Sequence, residues 1–174
     1  MPPLPSAAAT PMKTVTFDGR VRFRLPDDWV EEIEDGLGLY HARALDRGVL
    51  RVALREVPCS GGPEDVDPEE IARMAVSQAA LQFVRADDSR GSDRAIETLP
   101  GGDTLAHYTI ATNEAGENLR HYLWMRGTVG REAALLAMFS YVITGEQDGR
   151  EPWTSIVALL DQEIRAAEVS RPAA

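Results

Sequence analysis

The sequence predicts an α+β fold: a mainly antiparallel sheet flanked by helices on both faces, an α/β/α sandwich. Three observations carry that prediction. Consecutive runs at Thr104–Thr112, Leu119–Thr128 and Ala133–Thr144 are rich in aromatic and β-branched residues, with Gly116 and Gly130 in the gaps. Helical periodicity falls in one segment before this meander and one after it, without the strand–helix–strand alternation of a parallel sheet. Both faces of the meander carry apolar residues, which a sheet bare to water on one side would not need.

The faces follow from pairing. A turn tip at Ala115-Gly116 puts Ile110 opposite His121 and Tyr108 opposite Leu123. A tip at Val129-Gly130 puts Leu123 opposite Leu136 and Trp124 opposite Leu135. Side chains alternate along a strand. One face therefore holds Tyr108, Ile110, Leu119, Leu123, Met125, Leu136 and Met138. The other holds His107, Tyr122, Trp124, Leu135, Phe139 and Tyr141, with Arg120 and Arg126 among them.

The remaining elements read in chain order. Residues 1–12 are expected to be a disordered Pro- and Ala-rich tail and residues 13–170 one domain, with Met12 as an alternative start. Thr14–Phe17 and Val21–Leu25 form a hairpin turning at Asp18-Gly19. Pro26 ends the second strand, Asp27 and Asp28 suit a turn or a helix start, and Trp29 is a large core anchor. Glu31, Glu32, Glu34 and Asp35 read as solvated carboxylates rather than a metal site.

Leu37–Leu45 and Val49–Val57 form a second hairpin around Asp46-Arg47-Gly48, and Pro58–Pro63 is a loop without the Lys-Ser/Thr of a phosphate loop. Asp67, Pro68, Glu69 and Glu70 mark a helix start. That helix runs to about Val84, with Ile71, Met74, Ala75, Gln78, Ala79 and Leu81 as its packing side. Arg85–Arg94 is a polar, mobile connector and Ala95–Leu99 a short strand. Pro152 opens a last helix to about Val169, with Ile156, Leu159, Leu160, Glu163 and Ile164 on one face and the final residues frayed.

Composition narrows the partners. A net charge of −10 at pH 7 argues against nucleic acid or an anionic membrane, because like charge repels. It allows a basic protein or a cation. Lys13 is the only lysine, which reads as a GC-rich genome's codon bias. One cysteine, Cys59, makes no internal disulfide and no metal-ligand spacing. Without a basic n-region in Met1–Pro11 or a bilayer-length apolar run, the expected location is the cytoplasm.

A resemblance rests on three features: the early strand running into Leu25-Pro26-Asp27-Asp28-Trp29, the helix before a long meander, and Phe139-Ser140-Tyr141 in a late strand leading to a C-terminal helix. Together they resemble the PsbP-like family, which includes the photosystem II extrinsic subunit PsbP, the Ran-binding nucleotide-release factor and DcrB-like bacterial proteins. The likeness covers residues 14–169 in outline. It implies a PsbP-like fold and a scaffold used mostly to bind proteins rather than for catalysis.

Chemistry is sparse. His41, His107 and His121 lie in predicted strands, and His107 and His121 face opposite sides, so they cannot share a metal. No G-x-S-x-G elbow occurs; a hydrolase would need Cys59 or Ser60 beside a histidine. No catalytic residue and no cofactor is expected. The candidate binding residues are His107, Arg120, Tyr122, Trp124 and Arg126, because aromatic and arginine residues together make protein-interface anchors. The competing reading makes Tyr122 and Trp124 core under a helix. The expected role is a non-catalytic protein-interaction module, as monomer or homodimer, with an unidentified protein partner. The alternative is a small anionic ligand held by Arg120 or Arg126 in a sheet–helix cleft.

Overall fold

A computed structural model of the chain describes residues 9–43, 46, 48–60 and 64–170. The tail reading over residues 1–8, the turn at Arg47, the loop over residues 61–63 and the frayed end over residues 171–174 lie outside the described residues. Ten strands and two helices occur among those described. β1 (Met12–Phe17), β2 (Val21–Pro26) and β10 (Glu168–Val169) make a small sheet in the order β1-β2-β10. β3 (Trp29–Glu34), β4 (Leu37–Ala42), β5 (Val49–Pro58), β6 (Gly91–Thr98), β7 (Thr104–Glu114), β8 (Glu117–Val129) and β9 (Ala133–Thr144) make a large one. Its order is β3-β4-β5-β9-β8-β7-β6, antiparallel at every junction.

The hairpins owe their tightness to local chemistry. Asp18-Gly19, Asp35-Gly36 and Ala115-Gly116 all take positive φ at both residues, the backbone that matches the twist of paired strands. The second of these turns creates β3, an added strand, from the acidic segment after Trp29. Only Trp29 of that strand is buried; Glu31–Glu34 are exposed along the sheet edge.

Helix α1 (Pro68–Phe83) begins where expected, with the Asp67 carboxylate accepting from the Glu69 amide at 3.0 Å. Its packing side agrees with expectation in part: Ile71, Ala75 and Ala79 pack half-buried against the core, but its centre lies elsewhere. Ala72, Val76 and Ala80 are buried, whereas Met74 is 57% and Leu81 65% exposed. Small residues four apart let the helix approach the sheet closely: a Cβ added to Gly127 would lie 2.4 Å from Val76 Cγ1. This core also takes in Cys59, Ala106, Met125, Ala134 and Leu136.

The opposite face carries the larger core. Helix α2 (Trp153–Ala166) supplies Ile156, Leu160 and Ile164, and β1 and β2 supply Val15, Phe17, Val21, Phe23 and Leu25. They pack with Trp29, Tyr40, Leu50, Val52, Trp124, Phe139 and Tyr141. The covering on this side is thus a three-stranded sheet together with a helix, not a helix alone. The last helix stops at Ala166 rather than Val169, and Glu168–Val169 pair with Val21 and Arg22 instead.

Two other expectations change. Ile110 does face His121 and Tyr108 does face Leu123. Across the second turn, however, Trp124 pairs with Phe139 and Leu123 with Ser140. The hairpin runs on to Val129↔Ala134 and turns beyond Gly130, whose amide donates to Ala133 at 2.8 Å. The slip is four residues, an even number, so every side chain keeps its face. The connector after α1 is pinned: Arg94 donates to the carbonyls of Val84, Gly91 and Asp88, and β6 already begins at Gly91. Among the described residues no helix is long and apolar enough to cross a membrane.

Candidate functional site

Strands β7 and β8 and helix α2 bring together four of the five residues singled out in the sequence. Trp124 is buried in the large core, and its indole N–H donates to Asp161 at 2.9 Å. Tyr122 stacks beside it, ring centroids 6.4 Å apart and planes at 22°. The Tyr122 hydroxyl donates to Asp148, in the turn before α2. Burial and that carboxylate push the phenol up to about 12. His107 pairs with Trp124 across the strands, and its Nε2 stands 3.6 Å from Glu97.

Arg120 sits between two carboxylates: Nε is 3.6 Å from Asp148 and Nη2 is 3.9 Å from Asp93, with Ser92 Oγ accepting from Nη2 at 3.3 Å. Arg126 is placed elsewhere. It is 6% exposed and donates to the carbonyls of Ile164 and Ala167 and to Asp103. It closes the C-terminal end of α2, whose last carbonyls lack partners within the helix.

A cleft of about 370 Å³ opens between α2 and these strands. Tyr122, Trp124, His107 and Thr109 line the sheet side, Thr154, Val157, Ala158 and Asp161 the helix side, and Asp93 the rim. Neither arginine is among the described residues that line it. Sequence reasoning missed Asp93, Asp148 and Asp161; the i,i+4 spacing of Asp161 and Arg165 was visible, but not that Asp161 would also receive Trp124. A larger concavity of about 750 Å³ at the hairpin tips is lined by Ala115–Asn118 and Thr144–Glu146. It gathers turn residues and two glutamates but no aromatic ring, whereas the smaller cleft is lined by Tyr122 and Trp124.

The other reactive groups lie apart. The Cys59 thiol is buried beneath α1 and donates to the Val57 carbonyl at 3.3 Å, not to a histidine. His121 is on the α1 side, 2.9 Å from Thr112 Oγ1. His41 stands 3.3 Å from Glu32 on the β3–β4 hairpin. Among the described residues no three His, Cys, Asp or Glu side chains cluster to hold a metal.

No protein-family model matches the chain, and no curated protein does. Solved structures do. A crystal structure from Bacteroides thetaiotaomicron VPI-5482 is similar at a TM-score of 0.56 and 17% identity, over 87% of this chain. This chain spans about half of that protein, 45% of its length. LpqN, involved in cell envelope biogenesis of Mycobacterium tuberculosis, is similar at 0.54 and 13% identity, over 92% of this chain and 91% of LpqN. The Saccharomyces cerevisiae Ran-binding protein Mog1p gives 0.49 and 11%, over 94% and 97%. The chain shares its fold with LpqN and with the Bacteroides protein. At such identities the likeness is one of fold alone.

Proposed function

We propose that the chain is a non-catalytic protein-interaction module whose recognition surface is the cleft between α2 and strands β7 and β8. One observation carries the reading. Tyr122 is only half-buried, and an open, mainly apolar cleft is left beside it where a helix that merely capped the sheet would close. Aromatic residues braced by hydrogen bonds at a concave surface are the usual anchors of protein interfaces. Tyr122 and Trp124 are braced in this way by Asp148 and Asp161.

The small-anion alternative has less support. Arg120 has Asp148 and Asp93 within 4 Å as charge partners, without a hydrogen bond to either, and Arg126 is held by Asp103 and two carbonyls. An anion would have to displace carboxylates that the chain already provides.

Ala158 is exposed on α2 and lines the cleft, so Ala158→Trp fills it without touching the core. The test is affinity capture from native lysate on the wild-type chain and this variant in parallel, read by mass spectrometry. The proposal expects proteins held by the wild type and lost from the variant. An identical retained set overturns it.

A further inference from the structure

We infer that the group entering this cleft is an arginine side chain of a basic partner segment; the inference rests on the interaction reading above. The cleft has two chemical zones. Its walls, from Tyr122, Val157 and Ala158, suit an aliphatic or flat apolar body. Its rim carries Asp93, with a side chain 74% exposed, and Asp161. No lysine or arginine is among the described lining residues, and the chain as a whole carries −10.

Each alternative side chain satisfies one zone and not the other. Leucine would cover the walls and leave the carboxylates unused. Glutamate would meet like charge at the rim. Lysine brings a compact, strongly hydrated ammonium, costly to place beside apolar walls. Arginine has a three-carbon stem for the walls and a planar, weakly hydrated head. That head can lie against the Tyr122 ring and reach a carboxylate with paired N–H groups. The net negative field would also speed the encounter with a basic partner, and salt would weaken it.

Asp93 is suited to this work. Its Oδ2 accepts from Ser92 Oγ and Thr109 Oγ1, both at 3.3 Å, which fix the carboxylate at the rim. Among the described residues its one cation contact is Arg120, at 3.9 Å and beyond hydrogen-bond reach. Asp161 is already held by Trp124 and Arg165, so a new guanidinium would find it oriented.

The test uses the whole chain, labelled with nitrogen-15, and three probes of matched shape: N-acetylarginine amide, N-acetyllysine amide and N-acetylcitrulline amide. The readouts are the Trp124 indole N–H and the Tyr122 backbone amide. Arginine amide is expected to shift both in a saturable way. Lysine amide should bind about tenfold more weakly and citrulline amide not at all, since only the charged fork meets both zones. Asp93→Asn, whose spectrum otherwise matches the wild type, should abolish the shift.

Equal shifts from citrulline amide, shifts from acetate at the same resonances, or none from arginine amide overturn the inference. The two readings fail separately. If Ala158→Trp loses its captured proteins but arginine amide causes no shift, the interaction reading stands and the arginine assignment falls. If arginine amide binds while the captured set is unchanged, the assignment stands and the protein partner falls.

Discussion

Replacing Arg126 by methionine keeps most of the volume of the side chain and removes its donors. In the wild type this guanidinium is 6% exposed and serves three acceptors: the Ile164 carbonyl, the Ala167 carbonyl and the Asp103 carboxylate. Asp103 is itself only 14% exposed, so Arg126→Met strands a nearly buried charge. Removing one partner of a buried pair costs about 3–5 kcal/mol. At roughly 2–4 °C per kcal/mol for a chain of this size, a loss of about 4 kcal/mol lowers Tm by about 8–16 °C. Urea unfolding followed by circular dichroism measures the loss as a lower midpoint at unchanged slope.

The double variant Asp103→Asn/Arg126→Met separates charge from packing. It should recover about 2 kcal/mol, because the stranded carboxylate is gone while the two carbonyls still lack their donor. A ligand-holding arginine behaves differently: its removal leaves the fold as stable or more so. A single-variant loss below about 1 kcal/mol, or no recovery in the double, would refute the assignment of Arg126 as the clamp on α2.

Three further outcomes follow from contacts elsewhere. Gly127→Ala places a Cβ 2.4 Å from Val76 and should cost about 1–3 kcal/mol in thermal unfolding, with Val76→Ala in the same chain recovering part of it. His121 has its pKa lowered from 6.5, chiefly by burial, with Glu114 opposing. The unfolded chain therefore takes up a proton below pH 6.5 that the folded chain resists, and stability falls as pH drops through that window. His121→Gln should lose less urea midpoint between pH 7.5 and 5 than the wild type, and parallel losses would contradict this. Tyr122 works in the other direction: with its pKa raised from 10 to about 12, its contribution is intact below pH 10 and fades as pH rises toward 12. Tyr122→Phe should flatten that alkaline limb and remove one late step from the tyrosinate absorbance titration.

What the sequence made legible is what local chemistry decides. Asp67 and Pro68 announce the start of α1 whatever it packs against, and Asp18-Gly19 makes its turn alone. The two faces of the meander were readable because alternation survives a four-residue slip. Non-local choices were not readable. Nothing in Glu168-Val169 says that it will pair with β2, and β3 hides because a single buried residue, Trp29, leaves no alternation to see. In α1 the larger residues Met74 and Leu81 look stickier than Ala72 and Ala80, yet close approach to the sheet selects the small ones. The candidate site divides in the same way: Tyr122, Trp124 and His107 share a face by parity, whereas Asp148 and Asp161, which brace Tyr122 and Trp124, come from 26 and 37 residues further along the chain.

The arginines show how composition can mislead about charge. Arg120, Arg126 and Arg165 lie on or beside one face and, counted alone, suggest an anion site. In the fold they meet five carboxylates: Asp93 and Asp148, Asp103, and Asp161 with Glu97. An arginine already neutralised within the fold offers little further free energy to an incoming anion, because binding would exchange one ion pair for another of similar strength. Carboxylates outnumber guanidiniums here, so a cation finds acceptors that are not fully spent, while an anion meets a face already negative on balance. The selectivity of the cleft is set by that surplus, which belongs to the assembled face and to no single stretch of the chain.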